Sequence, residues 1–160
     1  MKKKSARTKS VATSRKKKTS AQTRSTSTVK KRAAAPGSDF SAAFAGLKAI
    51  MKAHERQCRV VRDTETEYIL ETREPIYRGK PLWLGGPRAG KAYVSYHLIA
   101  IYMFPDLAKN ISPELRKRMQ GKACFNFSQA DEALFRELAE LTAAGLEKIR
   151  TAKHLPGNQK

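Results

Sequence analysis

The sequence predicts an α+β fold, an antiparallel sheet with N- and C-terminal helices packed on one face, preceded by a disordered basic tail. Three observations carry this. Residues 91–103 alternate as a long strand does. Apolar residues recur at helical spacing near residue 40 and again after residue 130. The first 37 residues hold 13 lysines and arginines and no acid.

The tail comes first. Residues 1–37 are mostly Lys, Arg, Ser, Thr and Ala. Such a segment buries too little apolar surface to offset the cost of ordering, about 1–2 kcal/mol per backbone residue. Ala33-Ala34-Ala35-Pro36-Gly37 reads as a linker. The domain is expected over residues 38–153, with a frayed C-terminus over 154–160, which contains Pro156 and Gly157. The 160-residue chain carries a net charge of +19; residues 38–160 hold 20 cations against 14 acids.

Ser38 or Asp39 can cap a first helix running to about Gln57, with Phe40, Phe44, Leu47 and Met51 as its buried stripe. Cys58–Asp63 reads as a short strand, Thr64-Glu65-Thr66 as a turn, and residues 67–73 as an alternating strand with Tyr68, Leu70 and Thr72 on one face. Residues 75–80 form a loop around a turn at Arg78-Gly79. Leu82–Leu84 is a short strand carrying the only tryptophan, Trp83. The glycine-rich run 85–90 connects it to the long strand.

In that long strand Val94, Tyr96, Leu98, Ala100 and Tyr102 share an apolar face, expected against the core. Ser95 and His97 share the other, more open face. Pro105 stops the strand. Ser112-Pro113-Glu114 opens a helix with a hydroxyl cap, proline at the first helical position and an early acid. Gly121 is expected to close it. Cys124–Phe127 reads as another short strand. Ser128 with Asp131 three residues on resembles a capping box for the last helix, which runs to about Arg150 on a stripe of Leu134, Leu138, Leu141, Gly145 and Ile149.

Cys58 and Cys124 have neither metal-ligand spacing nor a disulfide framework, and read as buried free thiols in a reducing cytosol. No apolar run approaches the roughly 20 residues that span a bilayer. The basic N-terminus lacks a following apolar region, so no secretory signal is expected. The expectation is a cytoplasmic protein with no membrane partner.

The segments YVSYHLIAIYMFPDL, ISPELRKRMQGKACFNF and DEALFRELAELTAAGLEKI resemble the YdhG-like family, a small domain of unknown function. The likeness runs from about Phe40 to Ile149. It implies a frataxin-like fold of two helices against an antiparallel sheet. One branch of the family is described as an iron chaperone, so the resemblance also implies iron as an alternative ligand.

Several motifs carry a chemistry of their own. Residues 85–91 fit G-x4-G-K, but a phosphate-binding loop needs a helix after it and Ser or Thr where Ala92 stands, so a turn between strands is the better reading. Ser95 and His97 share a strand face without a local third group or oxyanion hole, so no hydrolase is expected. His54 and Cys58 supply two soft ligands and no evident third. Asp63, Glu65 and Glu67, with Glu71 and Glu74, form the densest acidic stretch, the alternative metal site if iron is bound.

The sequence therefore predicts a non-enzymatic domain without a cofactor. The tail cations Lys2, Lys3, Lys4, Arg15, Lys16, Lys17, Lys18, Lys30, Lys31 and Arg32 are expected to bind nucleic acid or another polyanion without sequence preference. A metal site at Asp63, Glu65 and Glu67 is one alternative. A small-molecule site on the open sheet face around Trp83, Ser95 and His97 is the other.

Overall fold

The computed structural model describes residues 40–157. The expected tail and its cations, and the caps Ser38 and Asp39, lie outside the described residues.

Helix α1 spans Phe40–Lys52. A meander of four strands follows: β1 (Cys58–Asp63), β2 (Tyr68–Thr72), β3 (Trp83–Ala89) and β4 (Val94–Leu98). The chain then runs through helix α2 (Ile99–Met103), a 3-10 segment (Pro105–Asn110), helix α3 (Pro113–Arg118), strands β5 (Met119–Gln120) and β6 (Cys124–Phe127), and helix α4 (Glu132–Thr151). The sheet order is β1-β2-β3-β4-β6-β5, and every pairing is antiparallel. The α+β layout is thus the one the sequence predicts.

One face of the sheet carries the core. Tyr68 and Leu70 of β2, Val94, Tyr96 and Leu98 of β4, and Phe125 and Phe127 of β6 are fully buried. Leu47 and Met51 of α1 and Leu138 of α4 are buried with them. Phe127 meets Phe135 of α4 edge to face at 5.1 Å between ring centroids, a favoured aromatic geometry. Burying a leucine such as Leu98 contributes about 1.5–3 kcal/mol.

The turn at Arg78-Gly79 is present. Tyr77 and Lys80 exchange backbone hydrogen bonds of 3.0 and 2.9 Å, with φ of 51° at Arg78 and 72° at Gly79, the positive pair that a tight type I′ turn requires.

The structure corrects several boundaries. Helix α1 ends at Lys52 rather than near Gln57, and residues 53–57 continue as turns. Residues 85–89 belong to β3 and are not a connecting loop. A Cβ on Gly85 would lie 2.2 Å from the His97 carbonyl oxygen, and one on Gly86 2.0 Å from that of Tyr68. These glycines therefore mark close approach of neighbouring strands, not a turn. Pro87 lies where the β2–β3 ladder is interrupted: Leu70 pairs with Gly85, and the next bridge is Glu67 to Arg88.

The long strand stops at Leu98 and coils into α2, which turns Tyr102 away from the core to 59% exposure. Helix α3 closes at Arg118, before β5, and Gly121 sits in the β5–β6 turn. Asp131, not Ser128, caps α4, accepting from the Leu134 N–H at 3.2 Å. Ser112 does cap α3, accepting from the Leu115 N–H at 3.0 Å. Within the C-terminal stretch, Leu155 is buried, and the Gly157 carbonyl accepts from Arg78 Nε at 2.9 Å; residues 158–160 lie outside the described residues.

Candidate functional site

The face of the sheet opposite α1 and α4 is the open one. Alternation along β4 puts Ser95 and His97 there, because Val94, Tyr96 and Leu98 point into the core. Register extends the pattern across the sheet. His97 pairs with Gly86 of β3 and Cys124 of β6, and Ser95 pairs with Arg88 and Asn126. The missing side chain that leaves room at His97 is that of Gly85, where an added Cβ would lie 3.2 Å from His97 Cδ2.

A groove of about 510 Å³ lies on this face, lined by residues including Val61, Arg62, Glu67, Ile69, Trp83, Arg88, Ser95, His97 and Cys124. Trp83, Ser95 and His97 are thus brought together. The Trp83 ring is 4.7 Å from that of His97, tilted by 46°, and remains 41% exposed. An adjoining groove of about 500 Å³ has Trp83 as a shared wall, with Tyr77, Arg78, Lys80, Pro81, Leu82 and Ile99.

The electrostatics of the first groove turn on Glu67. Its carboxylate accepts from Arg62 Nη1 at 2.8 Å and from Arg88 Nε at 2.7 Å. Two guanidinium groups share one carboxylate, so this cluster carries a net positive charge. Burial holds the His97 imidazole below its ordinary pKa and pushes the Cys124 thiol up. His97 Nδ1 and Cys124 Sγ are 2.9 Å apart.

The acidic stretch is arranged differently. Asp63 pairs with Lys48 of α1, Glu67 is held between Arg62 and Arg88, and Glu71 pairs with Arg59. Glu65 lies exposed in the β1–β2 turn. The structure does not bring Asp63, Glu65 and Glu67 together as ligands. Among the described residues no group of three or more His, Cys, Asp or Glu side chains is placed to hold a metal.

A third cleft, of about 520 Å³, is lined by Cys58, Ile76, Leu84, Leu146, Ile149 and Leu155 among others. Burial pushes the Cys58 thiol up, and Arg73 partly opposes this.

The sequence reading of this face missed Arg62, Arg88 and Cys124. Arg88 was hidden by treating residues 85–90 as a loop. Cys124 was legible only as a strand residue, because its meeting with His97 depends on β6 pairing with β4 across 27 residues of chain.

No helix among the described residues is long and apolar enough to cross a membrane. No protein-family model, curated protein or solved structure matches the chain.

Proposed function

We propose that the protein is a non-enzymatic, cytoplasmic nucleic-acid-binding protein. Its open sheet face takes an unpaired base against Trp83, and its basic tail adds sequence-independent attraction to phosphates. The observation that carries this reading is the setting of Trp83. It stands exposed between two grooves, one bearing Arg62 and Arg88 and the other Arg78 and Lys80. An aromatic platform between cations suits a strand of planar bases on an anionic backbone. Residues 1–37, with 13 cations and no acid, favour the same class of partner. The segments that resemble YdhG-like domains belong to this reading as a resemblance of the domain, and they bring no catalytic role with them.

Trp83 is the only tryptophan, so its fluorescence reports the site directly. Titrating the full chain with oligo(dT) should quench that emission. Trp83→Ala should weaken oligo(dT) binding about 5- to 150-fold, the equivalent of about 1–3 kcal/mol per stacked base. Duplex DNA should bind through the tail. With about eight to ten phosphate contacts, log K should fall against log salt with a slope near −7 to −9. Deleting residues 1–37 should remove most duplex binding. Equal affinity of wild type and Trp83→Ala for oligo(dT) would remove the sheet face from the proposal. Duplex binding that survives tail deletion would move that role into the domain.

A further inference from the structure

We infer that Cys124 and His97 form a reactive thiol–imidazole pair, and that its reaction partner is a small anionic disulfide. The two residues are directly paired across β4 and β6, with Sγ and Nδ1 2.9 Å apart. Both line the open groove and are half-buried. Cys58 differs, being 6% exposed.

The groove also selects the reagent. Arg62 and Arg88 share Glu67, so the cluster attracts carboxylates. Trp83 supplies an apolar wall for the carbon chain beside the sulfurs. The other charged pair on this face is Arg59–Glu71 at its edge; β4, β5 and β6 add no further charged side chain.

Burial favours the uncharged forms of both partners, so the resting pair is a neutral thiol beside a neutral imidazole. In the tautomer with its proton on Nε2, His97 accepts the thiol hydrogen at Nδ1. When Sγ attacks one sulfur of the disulfide, a new S–S bond forms and the old one breaks. Nδ1 takes the thiol proton and returns it to the departing thiolate. The products are a mixed disulfide at Cys124 and one free thiol, and no other oxidant is needed. The adduct fills the groove beside Trp83. On the base-stacking reading given above, it also blocks a base from that ring.

The test treats the full chain with glutathione disulfide under native conditions and reads adducts by intact mass and peptide mapping. One adduct should form, on Cys124. Cys58→Ser should react as the wild type does, and Cys124→Ser should show no native-state adduct. His97→Gln and His97→Asn should slow the reaction about tenfold or more near neutral pH. They should also leave a rate that rises steadily with pH, as for an unassisted thiol. Circular dichroism identifies whichever of the two substitutions keeps the fold. An adduct on Cys58, no adduct on Cys124, or a folded His97 variant with unchanged rate and pH profile would overturn the inference. Oligo(dT) titration of the adduct separates the two readings. Adduct formation in a protein that does not bind oligo(dT) sinks base stacking and leaves the thiol pair standing. Binding that the adduct leaves unchanged sinks only the blocking step.

Discussion

The Tyr96 hydroxyl lies 2.8 Å from Thr142 Oγ1, in a setting where neither residue has any exposed surface. Thr142 Oγ1 in turn donates to the Leu138 carbonyl at 2.7 Å. Its proton is committed to that bond, so Tyr96 is the donor between them. A polar relay thus joins the middle of β4 to α4 through the core.

The relay predicts asymmetric costs. Tyr96→Phe removes a donor but leaves Thr142 bonded to Leu138, for a loss of about 0.5–1.5 kcal/mol. Thr142→Val strands the Tyr96 hydroxyl in the core and should cost about 1–3 kcal/mol. The double variant should cost less than the sum of the two. Urea denaturation of the four proteins gives the cycle, and strict additivity would show that the hydroxyls are not coupled.

Tyr68 is the contrasting case. Its side chain is fully buried, and among the described residues its hydroxyl forms no hydrogen bond of good geometry, the Glu55 carboxylate being the nearest acceptor. Burial, with the Glu55 carboxylate adding to it, pushes its pKa up to about 12. Tyr68→Phe removes a buried hydroxyl that lacks a well-formed hydrogen bond and should be neutral or stabilising by up to about 1 kcal/mol. A loss above about 1 kcal/mol in urea would show that the Glu55 carboxylate satisfies that hydroxyl after all.

Gly145 of α4 faces Ala100 of α2 so closely that an added Cβ would lie 2.6 Å from the Ala100 Cβ. Alanine is the better helix former by about 1 kcal/mol. Overpacking costs about 1–3 kcal/mol. Gly145→Ala is therefore expected to destabilise on balance, and Ala100→Gly in the same chain should recover part of the loss. Thermal melts decide it: a Gly145→Ala melting temperature at or above wild type would contradict the packing.

Stability should fall as pH drops below 6.5. Burial holds His54 and His97 below that ordinary value. Each therefore binds its proton more readily when the chain is unfolded. Below pH 6.5 the unfolded state holds more protons than the folded one, and stability declines until the folded pKa is reached. Above 6.5 both forms are neutral, and this contribution is fully present and flat. Denaturation midpoints from about pH 7.5 to about 5.5 should show the slope. It should shrink in His97→Gln and shrink further with His54→Gln added. An unchanged slope in the double variant would assign the decline to other groups.

Much of this architecture was legible where side-chain period alone decides. Val94, Tyr96 and Leu98 alternate with Ser95 and His97, and the buried and open faces of β4 follow directly. The sequence-based boundaries for Cys58–Asp63 and Cys124–Phe127 also match the observed strands. Residues 99–103 were not legible, because an uninterrupted apolar run fits a strand and a buried helix equally. Packing against α4 decides it: Ala100 sits on Gly145, a contact set by residues 45 positions away. At α4, Ser128 and Asp131 both suit a cap. The apolar stripe beginning at Leu134 selects Asp131. The candidate face was partly legible, since Trp83, Ser95 and His97 could be placed on it by period. Its cations and thiol depended on long-range strand pairing that no local pattern encodes.

The two outermost strands also set where the sheet ends. β1 carries Arg59, Arg62 and Asp63, and its register shifts between Val60 and Arg62. β5, at the other margin, is two residues long. Charge and a kink guard one border, and brevity guards the other. Neither offers a long, flat, uncharged template to another chain. Accretion of further strands into a fibre-like stack is therefore disfavoured, and Arg59 and Arg62 act as gatekeepers against it as well as ion-pair partners.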